Sequence, residues 1–184
     1  MSLDGDLREE RAEESATEPS VSADEMRRVR GRFPAGVTVV TVRTDEGLRG
    51  LTVGSFAVAS VSPPLVLVCL EHGLESEGLL AEAGAFGVSV LSDHQELLSE
   101  RFAGRAFLVD DAFTGLPYNT RVTGAPLLDG AVAWFDCRLH ARYDAGDHTM
   151  FLGRVVAAAE PEHVPLPLLY YARHYATLDR LRRP

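Results

Sequence analysis

The spacing of apolar and polar positions changes several times along the chain, and each change marks an element. Val37–Arg43 is an almost unbroken β-branched run and predicts a strand. Leu48–Ser60 predicts a second strand, long and irregular, in which Gly54 marks a bulge or a close backbone approach. Pro63-Pro64 stops that run, and Leu65–Leu70 resumes it without alternation, as in a strand covered on both faces. Glu75–Ala83 predicts a helix and Phe86–Leu91 a strand. Ser92 with Gln95 forms a capping-box pattern that opens a helix running to about Phe102. Between 104 and 123 periodicity is lost, and Asp110-Asp111, Gly115, Pro117 and Asn119 predict a loop with short turns. Ala131–Tyr143 and Thr149–Ala158 read as paired strands around the turn Asp144-Ala145-Gly146. Pro161, Pro165 and Pro167 mark an exposed excursion, and Leu168–Leu181 suits a short helix or a docked tail.

Upstream, Ser22-x-x-Glu25 is another capping box, opening a helix with Met26, Val29 and Phe33 on one side and Pro34 at its end. Met1–Val21 holds few apolar residues. Ordering it costs about 1–2 kcal/mol per residue with little burial to offset that, so residues 1–21 are expected to be a disordered acidic tail. Residues 22–184 then form one domain. Strands broken by two short helices and closed by a return hairpin predict a mainly β, α+β fold, an antiparallel barrel carrying helical insertions.

Composition changes this picture only at its margins. No run approaches the roughly 18 apolar residues of a membrane helix, and the N-terminus lacks the order of a secretory signal, so a cytoplasmic protein without a membrane partner is expected. Much of the net charge of −9 lies before Met26, leaving the body only mildly acidic. A mildly acidic body lacks the basic footprint of a nucleic-acid binder. All 18 basic residues are Arg, which we read as compositional bias rather than function. Cys69 and Cys137 fall inside apolar strand patterns and read as buried thiols. With no Cys-x-x-Cys and no His/Cys cluster at ligand spacing, no metal is expected.

The candidate chemistry centres on Gly47–Leu70, where Thr52, Ser55 and Ser60 interrupt Val and Phe. Hydroxyls and bare backbone on an apolar wall suit a flat ligand rich in heteroatoms. The segments Phe33-Pro34-Ala35-Gly36-Val37-Thr38-Val39-Val40-Thr41, Leu51-Thr52-Val53-Gly54-Ser55-Phe56 and Ser60-Val61-Ser62-Pro63-Pro64-Leu65-Val66-Leu67 resemble the flavin reductase family of FMN-binding split-barrel proteins. Arg101-Phe102-Ala103, Gly146-Asp147-His148 and Pro167-Leu168-Leu169-Tyr170-Tyr171 agree in order, so the resemblance spans Arg32 to Leu178.

That resemblance implies a six-stranded antiparallel split β-barrel and a set of site residues. Thr52, Val53, Gly54, Ser55 and Phe56 would contact the flavin ring and ribityl chain, Gly54 standing where the family commonly has Asn. Ser76 falls on the family's phosphate-contacting Thr, but Glu71, Glu75 and Glu77 crowd it, and carboxylates repel a phosphate. An acidic helix start is also simply favourable on the helix dipole. The resemblance places Arg101 and Phe102 beside the flavin, with Arg101 available to the phosphate. It places Gly146, Asp147 and His148 at the mouth where nicotinamide enters, His148 as the catalytic candidate and Asp147 orienting the turn or the imidazole. Tyr170, Tyr171 and Tyr175 suit core or interface packing.

The implied activity is NAD(P)H:flavin oxidoreduction, with FMN or FAD as acceptor and NADH or NADPH as reductant. The implied partners are a second copy of the chain, as a homodimer, and a separate flavin-dependent monooxygenase that consumes the reduced flavin. The absence of a Gly-x-Gly-x-x-Gly motif agrees with nicotinamide docking on the flavin itself. Two other readings of the same barrel are a non-enzymatic flavin carrier and a flavoenzyme with its own organic substrate.

Overall fold

The computed structural model describes residues 20–104 and 112–179, so the expected tail at 1–21 lies almost entirely outside the described residues. The chain divides into two units between Phe33 and Pro34. In the first, helix α1 (Ala23–Arg30) opens on the expected box: the Ser22 hydroxyl accepts from the Glu25 amide while the Glu25 carboxylate accepts from the Ser22 amide.

The second unit is built on β1 (Ala35–Gly36), β2 (Thr38–Thr44), β3 (Gly47–Val53), β4 (Ala57–Val61) and β5 (Pro64–Glu71). Helix α2 (Glu75–Ala83), β6 (Ala85–Val90) and α3 (Glu96–Phe102) follow. The chain continues through β7 (Tyr118–Asn119), β8 (Leu127–Leu128), β9 (Ala133–Ala145), β10 (His148–Ala159), β11 (Leu169–Tyr171) and β12 (His174–Ala176). Seven strands form one sheet in the order β3-β2-β6-β9-β10-β5-β4, every neighbouring pair antiparallel. β1-β11-β12 and β7-β8 make two small sheets. No helix among the described residues is long and apolar enough to cross a membrane.

The main sheet therefore has seven strands rather than six, and its edges β3 and β4 do not pair with each other. The extra strand comes from Leu48–Ser60, expected as one piece. Gly54-Ser55-Phe56 breaks it into β3 and β4, which lie at opposite edges. A flat sheet would hold those edges about 29 Å apart. The four Cα steps from Val53 to Ala57 reach at most about 15 Å. The sheet must curl until its edges approach.

Burial follows from that curl. β2 is covered on both faces. Val40 and Val42 join a core with Val66, Val68, Leu70, Leu80 and Phe86, while Val39 faces a second core with Leu91, Phe102, Phe113 and Leu168. The double covering expected of Leu65–Leu70 is not observed. Val66, Val68 and Leu70 are buried, but Leu65, Leu67 and Cys69 are only half-buried on the opposite face. Of the two forms expected for the C-terminal segment, the docked tail is observed and the helix is not: Leu169–Ala176 is a hairpin with Ala172 and Arg173 at positive φ in its two-residue turn, and Tyr170 and Tyr175 pack on the second core. The Ser92/Gln95 box is half made, with the Gln95 side chain accepting from the Ser92 amide while Gln95 caps α3.

The β9–β10 pairing shifts register between Leu152 and Gly153, where the ring of Phe86 sits against the backbone. A Cβ on Gly153 would lie 2.4 Å from Phe86 Cζ and 3.1 Å from the Cys137 Cβ. Gly153→Ala is expected to cost about 1–3 kcal/mol by overpacking. Denaturant unfolding checks this, and a loss below about 0.5 kcal/mol would show that Phe86 can move aside. Burial raises the Cys137 thiol to about 12, aided by the charge of Asp136, so it stays an inert thiol.

Candidate active site

Two of the sequence-flagged segments, Thr52–Phe56 and Gly146–His148, flank β5 at one end of the sheet. In β5–β10, Glu71 pairs with His148, Cys69 with Met150 and Leu67 with Leu152, and β4 adds Ala57 opposite Leu67. Directly opposed residues share a face. His148, Met150, Leu152, Leu67, Cys69 and Ala57 therefore lie on the half-exposed side of this quarter, a mainly apolar wall with an imidazole at its end. Just before β4, the Ser55 hydroxyl donates to Cys69 O (3.0 Å) and accepts from Cys69 N (2.9 Å), standing in for the strand pairing that the break removes. Spacings of about 4.8 Å between strands and 3.3 Å per residue put the Ser55 and His148 Cα atoms about 12 Å apart at the same end.

The proposed ring-contact stretch distributes its groups unevenly. Val53 is buried in the core and Phe56 packs on Phe135, with ring centroids 5.3 Å apart. The Thr52 hydroxyl donates to Ser99 O at 2.7 Å. The Thr52 and Ser55 hydroxyls thus have partners within the fold. The exposed member is Gly54, beside Ala35 of β1. Its backbone, rather than a row of hydroxyls, is what this stretch offers a ligand.

Arg101 and Phe102 part company. The Phe102 ring is core, packed on Phe113 with centroids 5.1 Å apart, and leaves no room for a Cβ on Gly50. Arg101 donates to Thr114 O at 2.6 Å. Ser76 lines a depression of about 210 Å³ between β3 and α2, with Arg49, Gly50 and Leu51. Much of that space is open to solvent and the enclosed part holds little more than one water, so a three-ring ligand does not enter this depression.

The β9–β10 turn is the two-residue loop Gly146-Asp147, one residue later than expected, with positive φ at Gly146. A glycine in the first loop position suits such hairpins. The turn is tied to the end of β5, since the His72 amide donates to Asp147 O at 3.0 Å. Asp147 Oδ1 lies 2.6 Å from His148 Nδ1, and that bond with the imidazole's charge holds the Asp147 carboxyl below its usual range. An ionised carboxylate only accepts, so Nδ1 carries the proton and Nε2 is the nitrogen left for a ligand.

Tyr175 packs on the second core as expected, but sequence reasoning missed its partners Ser99 and Glu100. The Tyr175 hydroxyl lies 2.9 Å from Ser99 Oγ and donates to Glu100 Oε1 at 2.5 Å, tying β12 to the helix that receives Thr52. Their separation of some 75 residues in sequence leaves no local signal.

The chain is similar to known proteins over most of its length. The FMN reductase (NADH) SmoA of Agrobacterium fabrum is 44% identical over 138 residues, 74% of this chain and 76% of that one. The structure of the NADH:FAD oxidoreductase SgcE6 of Streptomyces globisporus C-1027 superposes with a TM-score of 0.80 at 36% identity, covering 89% of this chain and 99% of that one. The styrene monooxygenase flavin reductase SMOB of Pseudomonas putida S12 gives 0.76 at 35% identity, covering 85% and 99%. Residues 30–179 match the flavin reductase like domain, and the chain belongs to that family.

Proposed function

We infer that the protein is an NADH-dependent flavin reductase: reduced nicotinamide and an oxidised flavin are its substrates, and reduced flavin leaves for a separate flavin-dependent monooxygenase. The observation that carries this reading is the half-exposed apolar wall of β4, β5 and β10, with exposed Gly54 backbone near one end and His148 on the same face. SmoA is an NADH-dependent FMN reductase and SgcE6 an NADH:FAD oxidoreductase, and SMOB is the flavin reductase of a styrene monooxygenase. FMN is the acceptor we favour; FAD and NADPH are the alternatives to test. The curled sheet whose opposite edges are joined by three residues is read as the family's split barrel.

The chemistry is hydride transfer from nicotinamide C4 to flavin N5. The chain's part is to bind and orient. The wall excludes water from one face of the flavin. Gly54, with Thr52, Val53, Ser55 and Phe56 fixing its backbone, supplies close backbone approach. Arg101 and Ser76, carried over from the family resemblance, are the candidates for its phosphate. Gly146 and Asp147 set the imidazole, and His148 Nε2 hydrogen-bonds the nicotinamide or the flavin edge at the mouth.

A homodimer in the cytoplasm completes the reading. It is supported by Val58 and Val61 on edge strand β4, 59% and 85% exposed, which a second copy would cover. Sedimentation of the full chain at a single monomer mass would remove the dimer.

Mixing the protein with FMN and NADH should give steady loss of the nicotinamide absorbance with oxygen as final acceptor. FAD, riboflavin and NADPH are run in parallel. No turnover with any pairing would leave the flavin-carrier reading in place.

A further inference from the structure

The half-exposed wall does not stop at Leu152. Along β10, Thr149, Phe151 and Gly153 are buried, while His148, Met150 and Leu152 are half-buried and Arg154 is exposed. Arg154 therefore continues the wall face. It opposes Leu65 of β5 on one side and Arg138 of β9 on the other, and Leu65 in turn opposes Ser60 of β4. One row across these strands thus carries a hydroxyl and a pair of guanidinium groups beside the apolar surface. Ser60 is the remaining hydroxyl of the lip expected from the sequence.

Like charges directly opposite each other destabilise a sheet, and an anion between them reverses that effect. Among the described residues, neither Arg138 nor Arg154 is in an ion pair. Asp136, the acid next to Arg138 but one on β9, gives both its oxygens to Thr123. The other end of the wall is acidic: Glu71 opposes His148, and Asp147 holds the imidazole. His148 and Arg154 stand six residues apart on β10, about 20 Å. An elongated substrate with flat rings and an anionic tail is therefore aligned one way, rings over Leu67, Cys69, Met150 and Leu152 and anion at the arginines.

We propose that Arg154, Arg138 and Ser60 form the phosphate end of this wall and hold the phosphate group of a substrate lying along it. Guanidinium forks and a hydroxyl are the donors that a phosphate takes. The phosphate of FMN and the pyrophosphate of a nicotinamide dinucleotide share that chemistry, and FMN is the source expected. The inference rests on the reductase reading above, with the flavin on this wall, and gives these residues the role that the resemblance gives Arg101 and Ser76.

The full chain, Arg154→Ala, Arg154→Lys, Arg138→Ala and Arg142→Ala are titrated with FMN and with riboflavin by flavin fluorescence. KM for NADH is measured with riboflavin as acceptor. Arg154→Ala should weaken FMN about tenfold, near 1.4 kcal/mol, and Arg138→Ala about fivefold, with riboflavin moving less than about twofold. Arg154→Lys keeps the charge without the fork and should fall between Arg154→Ala and the unsubstituted chain. Arg142 opposes the buried Phe151 and so lies on the other face, which makes Arg142→Ala the charge control, with no selective loss of FMN. Removing one of two opposed like charges should leave the unfolding midpoint no lower, so a loss of affinity reports on the site and not on the fold. A rise in KM for NADH in Arg154→Ala but not in Arg142→Ala, with FMN affinity unchanged, supports the site with the dinucleotide's pyrophosphate as its occupant. FMN affinity and KM for NADH both unchanged in Arg154→Ala and Arg138→Ala overturn the proposal, as does an equal loss of FMN in Arg142→Ala. Absence of flavin binding in every protein removes the reductase reading, and this proposal with it.

Discussion

Replacing His148 with alanine should lower kcat/KM for NADH about 10–100-fold. The lower bound is one hydrogen bond to a reacting partner, about 1.5 kcal/mol. A proton-transfer role would carry the loss to the upper bound or beyond. The side chain is 32% exposed at a hairpin end, so its removal should leave the unfolding midpoint within about 2 °C of its starting value. That separation makes the test clean: a kinetic loss on an intact fold assigns His148 to the site. Asp147→Asn should act in the same direction and less, because an amide holds the ring without favouring the Nδ1-protonated form as strongly. Nicotinamide kinetics identical to the unsubstituted chain would take the imidazole out of the reaction.

The largest stability effect is expected far from that mouth. Asp136 of β9 is fully buried between Gly87 of β6 and Ala157 of β10. Its Oδ2 accepts from the Thr123 amide at 2.9 Å, and its Oδ1 from the Thr123 hydroxyl. These bonds anchor the turn before Ala125, and Pro126 O in turn accepts from Thr41 on β2, two strands away from β9. Asp136→Ala orphans both Thr123 donors and leaves a void. A loss of about 3 kcal/mol is expected, which lowers the melting temperature by roughly 6–12 °C in a chain of this size. Asp136→Asn keeps an acceptor for the amide and should lose about half as much. Calorimetry on the pair decides it. Equal stability of all three proteins would mean that water replaces the carboxylate.

Local chemistry was legible from the residues alone. The Ser22/Glu25 box formed as written, and Glu75–Ala83 became a helix with those same ends. Caps and periodic runs draw their free energy from neighbours within four residues, so a linear reading sees them. Conformations forced by turn geometry were harder. The C-terminal hairpin depends on two positive-φ residues, Ala172 and Arg173, that composition does not advertise.

The site divides along the same line. Which residues are candidates for a flavin, namely Thr52–Phe56, Ser76, Arg101 and Gly146-Asp147-His148, is what the resemblance to the flavin reductase family implies. Only the tertiary structure decided how each is used. Thr52 and Ser55 spend their hydroxyls on Ser99 and Cys69, Phe102 belongs to the core, and Glu77 ties Thr149 to Gly73. Those outcomes hang on pairings across tens of residues, set by which strand edge or helix face is left with unmet donors once the sheet has curled. The sequence alone determined what chemistry this chain carries. Folding chose which groups stay open to a ligand, because an unsatisfied buried polar atom costs more than a hydroxyl kept in reserve would return.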